Sequence, residues 1–334
     1  MTSSKEVAAR AGVSRSTVSQ VLNGHEHRFS PETVTRVKEA ADGLGYRPSA
    51  AARTLARGTS DIVITLVPDI TFGPRLRDFL DALTSGLERE GYVNLLRFAN
   101  AADPIDDAVL GLRPRAVVSL APLEPSDRSR LQRHGALVVE NSRAAQEHLD
   151  TAIGHRQAEH LAACGYRTIA AAVAVDAREH RFASPRAAGV HEWSLRNGLH
   201  VLPTLYVDLT QEEPAAAVAQ LPELPLGIAA YNDEVALAVL GAAQQLGRNI
   251  PDDVGIIGVD NSPLARIATP TITSIDFDIE FSARSMLRII LDHDSRIQDS
   301  AAEEVERRLQ VVSGRSTPST DHGAAPAPMP HHTQ

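Results

Sequence analysis

The sequence predicts an α/β protein with an N-terminal three-helix helix-turn-helix head, a hinge helix and a two-lobed core of parallel sheets. Three observations predict it. The stretch Ala8-Ala9-Arg10-Ala11-Gly12-Val13-Ser14-Arg15-Ser16-Thr17-Val18-Ser19 places a glycine and a capping serine between two helical runs. Charge is split along the chain: residues 1–58 hold nine Lys and Arg against five Asp and Glu, whereas the rest holds 24 against 37, for a net charge of −9. Beyond residue 58, apolar runs alternate with helical stripes in two successive rounds, as parallel sheets covered on both faces require.

The head comes first. Ser3 and Glu6 have capping-box spacing, so the first helix should start near Ser4. Gly12 can adopt the left-handed backbone that ends it, and Ser14 can cap the second helix. Val18, Val21 and Leu22 share one face and should be core. Arg15, Ser16, Ser19 and Gln20 are left outside. Ser30 and Pro31 start a third helix, whose stripe is Val34, Val37, Ala41 and Leu44 and whose end is Gly45. The second helix of such a motif enters the DNA major groove. Arg15 can donate twice to guanine and Gln20 can pair with adenine, with Ser16 beside them. Ser14 and Asn23 are expected on phosphates. A plain three-helix scaffold is the bland alternative; the basic head on an acidic body favours a polyanion partner for the head alone.

The following segment, Tyr46–Gly58, contains Pro48, which breaks the third helix, and Ser49, which can cap a short alanine-rich helix ending at Gly58. That helix is too short to be stable alone, which suits folding on contact with DNA. Leu55, between Arg53 and Arg57, is then a candidate wedge for the minor groove. An ordinary linker with an incidental leucine is the alternative.

The body should run strand Asp61–Val67, a helix with stripe Leu76, Phe79, Leu80, Leu83 and Leu87, and strand Val93–Phe98. A helix near Asp106–Leu112, strands Ala116–Leu120 and Ala136–Val139, and an intervening helix Ser126–Arg133 follow. The second round is helix Gly154–Cys164, strand Thr168–Val175, helix Pro185–Asn197, strand Leu205–Val207 and helix Glu212–Gln220. Strand Gly227–Tyr231, helix Asp233–Leu246 and strand Val254–Val259 come next, then helix Phe277–Leu291 and a strand near Leu309–Val312. Ligands of such sheets bind at the carboxyl ends of the strands. The residues from about Ser313, rich in Ser, Thr, Pro, Ala and His, are expected to be disordered.

One cysteine, Cys164, excludes an internal disulfide and fits a reducing compartment. With no signal-type apolar segment and no run of about 20 apolar residues, a cytoplasmic protein without membrane contact is expected. Phosphate-loop, dinucleotide-fingerprint and nucleophile-elbow motifs are absent from the sequence. His155, Glu159 and His160 lack zinc-helix spacing, and His25-Glu26-His27 reads as polar loop. No cofactor, metal or catalytic residue is expected.

The chain resembles the lactose-repressor/galactose-repressor family of bacterial transcription regulators. The resemblance runs from about Lys5 to Ser316. It is carried by Val7-Ala8-Ala9-Arg10-Ala11-Gly12-Val13-Ser14, Thr17-Val18-Ser19-Gln20-Val21-Leu22-Asn23-Gly24 and Leu44-Gly45-Tyr46-Arg47-Pro48-Ser49. Ala51-Ala52-Arg53-Thr54-Leu55-Ala56, Tyr231-Asn232-Asp233-Glu234-Val235-Ala236-Leu237 and Gly258-Val259-Asp260-Asn261 extend it. It implies a homodimer or tetramer on a double-stranded pseudo-palindromic operator, and a periplasmic-binding-protein-like core sensing a small polar effector such as a sugar. The implied division is a head over 1–47, a hinge helix over 48–58, a core over 59–314 and a tail over 315–334. Within the core, lobe 1 takes about 59–152 and 278–305, and lobe 2 about 153–277 and 306–314. Arg186, in Pro185-Arg186-Ala187-Ala188-Gly189, matches the family's ligand-binding arginine; Asp233 and Asp260 match positions facing the ligand. Phe72, Arg75 and Phe277 are further candidates for lining the cleft.

The sequence departs from the family pattern at Gln20, where arginine is frequent, at Phe72-Gly73-Pro74-Arg75, at His155, where Asp or Asn is common beside the cleft, and at Phe277. Two other classes are alternatives. An α/β enzyme with an added DNA module lacks any nucleophile, metal set or cofactor loop. A solute-binding protein requires export and has no use for the head.

Overall fold

The computed structural model describes residues 3–22, 24–47, 54, 58–70, 73–99, 105–140, 142–210, 225–292 and 303–319. The expected hinge helix, apart from Thr54 and Gly58, lies outside them, as does the helix expected at Glu212–Gln220.

The head is three helices, α1 (Ser4–Ala11), α2 (Arg15–Leu22) and α3 (Pro31–Gly43). Local chemistry sets each end. The Ser3 amide donates to the Glu6 carboxylate at 2.7 Å, Gly12 sits at φ 66°, and Ser14 Oγ accepts from the Thr17 amide at 3.0 Å. Ser30 Oγ accepts from the Thr33 amide, with Pro31 beginning the helix. Val7, Val18, Val21 and Val37 are buried at the centre, with Leu22, Val34 and Leu44 packed around them.

Two sheets form the body. The first has strands β1 (Ile62–Pro68), β2 (Val93–Ala99), β3 (Ala116–Ser119) and β4 (Leu137–Glu140), all parallel in the order β2-β1-β3-β4. Its helices are α4 (Pro74–Arg89), α5 (Asp107–Gly111) and α6 (Pro125–Arg133). On α4 the predicted stripe is buried at Phe79, Leu80, Leu83 and Leu87. This is lobe 1.

Lobe 2 has helices α7 (Arg143–Ala163) and α8 (His180–Arg196) and strands β5 (Thr168–Ala174), β6 (His200–Val201), β7 (Leu205–Val207), β8 (Leu226–Ala230) and β9 (Val254–Val259). It continues with α9 (Asp233–Gln245), α10 (Pro263–Ile267), β10 (Thr273–Asp276) and β11 (Gln310–Val312). The sheet order is β11-β10-β9-β8-β5-β6, with β7 also on β5; among these strands β11 alone runs antiparallel. The chain returns to lobe 1 as α11 (Ile279–Asp292), which packs on α4 where Gly86 admits Leu287.

Four expectations are corrected. Helix α7 begins at Arg143, not Gly154, with Ser142 Oγ accepting from the Ala145 amide at 3.1 Å. Asp150 and Thr151 are weak helix formers that masked the start, and packing along α8 outweighs them. Lobe 2 therefore begins near residue 142 rather than 153. Helix α8 begins at His180, so Pro185 lies inside it rather than at its first position. Pro185 has no amide to donate to the Arg181 carbonyl, and Arg181 is itself exposed. Strand β10 was not anticipated because its buried residues include Thr273 and Ser274. Finally, residues 315–317 are not tail. Ser316 and Thr317 are buried; Ser316 Oγ donates to the Ile256 carbonyl at 2.6 Å, and the Thr317 and Thr273 hydroxyls are bonded at 2.8 Å.

Candidate ligand cleft and nucleic-acid interface

Between the lobes, at the carboxyl ends of the strands, lies a cavity of about 310 Å³. Residues of both lobes line it, among them Arg75, Glu140, Asp150, Glu179, Arg186, Asn232 and Asp260.

Arg186 is held by the crossing of α7 and α8. A Cβ on Gly154 would lie 2.1 Å from the Arg186 carbonyl oxygen, and one on Gly189 would lie 2.3 Å from the Thr151 carbonyl oxygen. Only glycine allows that approach, which sets Arg186 against Asp150 at 2.7 Å. The same guanidinium donates to the Tyr231 carbonyl and lies 4.7 Å from the Tyr231 ring centroid. Its Nε has no hydrogen-bond partner among the described residues. Tyr231 in turn donates its hydroxyl to Glu179 at 3.0 Å. Burial raises the Asp150 pKa, against the opposing pull of Arg186 and the Gln146 hydrogen bond.

Asp260 directly follows β9 with φ 102°, and Asn261 comes next at φ 47°. Non-glycine residues adopt such a backbone only where the surroundings impose it. Here the Asp260 amide donates to the Ile275 carbonyl at 2.9 Å. The Asn261 amide donates to Ser274 Oγ at 2.9 Å, and its side chain to Asp276 at 3.1 Å. The turn points the Asp260 carboxyl to the cavity. Burial pushes its pKa up to about 7; Asp233 and Glu234 push the same way, and Arg186 and Arg75 oppose them. Glu234 is raised as well, first by burial.

Asp233 does not belong to the cavity wall, contrary to expectation. It is buried, and its carboxylate accepts from the Ser262 amide at 2.6 Å and from Ser274 Oγ at 2.7 Å. It braces β9, β10 and α10 against one another. Its neighbour Asn232 is the helix cap, accepting from the Val235 amide at 3.0 Å, and it is Asn232 that lines the cleft. His155 is also absent from the wall and faces Glu192 at 3.5 Å. Arg75 and Phe277 do line it: Arg75 pairs with Asp276, donates to the Phe277 carbonyl at 2.8 Å and lies 5.6 Å from the Phe277 ring. Phe72 lies outside the described residues. The sequence reading missed Asp150, Tyr231 and Asn232. Asn232, directly between a strand and a helix, carried a readable capping signal. Asp150 and Tyr231 are brought in by contacts across the lobe.

In the head, Ser14, Arg15 and Ser16 are exposed and Gln20 half-exposed, on the side of α2 away from Val18 and Val21. Arg15 Nε donates to Ser4 Oγ at 3.3 Å, and Gln20 donates to Ser16 Oγ at 3.4 Å. These contacts are weak and exposed, so the side chains can be redirected to a partner. Asn23 and Leu55 lie outside the described residues. Among the described residues no His, Cys, Asp and Glu cluster has the makings of a metal site. Cys164 is partly buried with its thiol pKa raised, beside His160 at 3.4 Å.

Comparison with known proteins places the two parts. Residues 4–49 match the model of "Bacterial regulatory proteins, lacI family", and residues 158–317 that of the "Periplasmic binding protein-like domain". The HTH-type transcriptional regulator CelR of Thermobifida fusca is 30% identical, the match covering 91% of this chain and 94% of that one. The ribose operon repressor of Halalkalibacterium halodurans is 27% identical over 93% and 96% of the two chains. The repressor PurR of Vibrio vulnificus is 28% identical over 92% and 98%. Among solved structures, the lac repressor dimer bound to operator and the anti-inducer ONPF aligns with TM-score 0.70 at 19% identity, covering 94% and 98%. A CelR–cellobiose complex aligns with TM-score 0.60 at 24% identity, covering 95% and 100%.

Proposed function

The chain belongs to the lacI family of bacterial regulatory proteins, and from this premise we propose that it represses transcription at a pseudo-palindromic operator under the control of a small polar effector. As a member of that family it is a DNA-binding transcription regulator and not an enzyme. In the proposal, residues 1–47 read DNA, 48–58 form a hinge helix on the operator, and the core beyond 58 senses the effector in the cytoplasm. No described helix is long and apolar enough to cross a membrane. Arg15, Ser16 and Gln20 read bases, Ser14 and Asn23 hold phosphates, and Leu55 wedges the minor groove at the centre of the site.

The observation that carries the effector half is the cavity between the lobes, with Asp260 and the Arg186–Asp150 pair at its lobe 2 wall. Hydroxyls and amines are the groups that such carboxylates and guanidinium bond with direction. Relatives named for cellobiose and ribose support a sugar. A ligand that bonds across the lobes favours one lobe arrangement, and only that difference in affinity can alter operator binding.

The dimer has its own support. Edge strand β2 leaves Val93 and Phe98 more than 60% exposed, with Leu95 and Leu96 beside them. An apolar edge of this kind is a surface for a second copy.

Operator titration tests the reading. The binding site is selected from random DNA, and effectors are found by thermal shift, since ligand bound to the native state raises Tm. Arg15→Ala is expected to weaken the operator complex by about 1–3 kcal/mol and relax one base pair. Leu55→Ala is expected to straighten the bent complex. A selection on Arg15→Ala that returns an unchanged consensus at unchanged strength defeats the head assignment. Indifference of operator affinity to every stabilising compound defeats the effector assignment.

A further inference from the structure

The two ends of the cleft differ in chemistry, and resting on the effector reading above, we infer that the ligand is amphipathic: a compact hydroxylated or amine head held by lobe 2, with an apolar ring or short alkyl tail received by lobe 1. At the lobe 2 end three groups offer unused bonding capacity. Asp260 presents a carboxyl with no hydrogen-bond partner among the described residues, Arg186 Nε is unpartnered, and the Asn232 amide nitrogen remains free once its oxygen has capped α9.

The lobe 1 end is different. Its wall is Phe79, Leu120, Val139, Met286 and Ile289, and three of these, Phe79, Val139 and Ile289, are otherwise buried. Of the polar side chains there, Ser119, Ser282 and Glu140 are engaged within the protein, while Ser285 on α11 and Nε of Arg75 on α4 have no partner among the described residues. Ser119 donates to the Ala121 carbonyl at 2.6 Å, and Ser282 to the Asp278 carbonyl at 3.1 Å. Glu140 accepts from the Leu123 amide at 2.5 Å and from Arg128.

A second sugar ring placed at this end would leave most of its hydroxyls facing aliphatic carbon, and desolvating a hydroxyl without a partner is unfavourable. An apolar group there replaces water on a surface with little to offer it. The lining therefore selects against a free disaccharide and for a glycoside, nucleoside or other conjugate that presents a polar head on an apolar body.

Isothermal titration of the full chain tests this with matched probes: D-glucose, D-galactose and D-xylose, each as free sugar and as methyl, butyl and phenyl β-glycoside, with cellobiose as the two-ring control. Benzyl alcohol, followed by thermal shift, probes the apolar end independently of the head. The expected result is that affinity rises along each series, by about fourfold per methylene while space remains, with cellobiose weaker than phenyl β-D-glucoside. Benzyl alcohol should stabilise the wild type, and Met286→Trp, or Ser282→Leu should the tryptophan variant not fold, should abolish that stabilisation and the tail's advantage while sparing the free sugar. Cellobiose or a free sugar binding as tightly as its phenyl glycoside overturns the inference, as does benzyl alcohol without effect on Tm. If a free sugar alone moves operator affinity at full strength, the tail is wrong and the regulatory reading stands. If phenyl glycosides bind as expected but operator affinity never moves, the regulatory reading is what fails.

Discussion

Two arginine–aspartate pairs, with arginines eight residues apart in the chain, differ in depth: Arg186–Asp150 lines the cleft as its floor, and Arg178–Asp69 bridges the lobes next to the lining residues Glu179 and Ile70, a half-exposed position taken as the mouth. At the floor, Arg186 meets Asp150 at 2.7 Å with side chains 11% and 1% exposed. At the mouth, Arg178 of lobe 2 meets Asp69 of lobe 1 at 3.2 Å, with side chains 51% and 47% exposed. Arg178 is also held by Asp176 two residues away, and that guanidinium keeps the Asp176 pKa down at about 2. The floor pair lies wholly within lobe 2 and fixes the shape of the binding wall. The mouth pair spans the lobes but sits in water, where attraction is screened and long side chains lose entropy on pairing. Position across the cleft is therefore a poor guide to strength, and depth is the better one.

The sharpest way to break the comparison is to separate the helices that set the floor. Gly189→Ala forces a methyl to within 2.3 Å of the Thr151 carbonyl oxygen, backbone that cannot swing aside. A loss of about 3 kcal/mol or more is expected in urea unfolding. A stable Gly189→Ala protein with unchanged ligand affinity would show that the α7–α8 contact does not define the wall.

Next comes the floor pair itself. Arg186→Ala orphans a buried carboxylate and is expected to cost roughly 3 kcal/mol at pH 8. Because burial already raises the Asp150 pKa, the cost should shrink in acid, where Asp150 takes up a proton. Urea melts at pH 5 and pH 8 compare the two; equal costs would mean that Asp150 does not titrate in response.

Asp260 gives a smaller effect with a definite sign. Its folded pKa of about 7 lies above the ordinary carboxylate value near 4. The folded state thus holds this proton more tightly than the unfolded state. The contribution is fully favourable below about pH 4 and is lost as pH rises to about 7. Asp260→Asn should match the wild type in acid and exceed it at pH 8 by on the order of 1–3 kcal/mol. A Tm difference that is flat between pH 4 and pH 8 would contradict the placement of Asp260 in a dry, acidic wall.

The smallest effect belongs to the mouth. Asp69→Ala should leave Tm nearly unchanged, and 1 M salt should erase what difference there is. Should it instead shift Tm or effector affinity strongly, the lobes are latched at the mouth and depth is not the ruling variable.

The head was legible almost residue by residue because its signals are local. Ser3, Gly12, Ser14, Ser30 and Pro31 act on backbone groups within one turn, and the sequence places those groups unaided. The body's alternation was legible for the same reason, since an apolar run such as Ile62–Pro68 has no other way to bury both faces. Helix α7 and strand β10 were obscured because Asp150, Thr273 and Ser274 are polar residues that the interior accepts through partners far along the chain.

The same division runs through the site. The sequence determined that Asp260 follows a strand end, where a cleft forms, and that a basic head precedes an acidic body. Only the tertiary structure decided that Asp233 is sealed behind the wall by Ser262 and Ser274, that Asn232 takes the place facing the cavity, and that Asp150 is the partner of Arg186. Helix caps and periodicity are settled by bonds between neighbours in sequence. The direction and protonation of a buried carboxyl are settled by desolvation and by charges that folding brings within reach, and no local pattern encodes those distances.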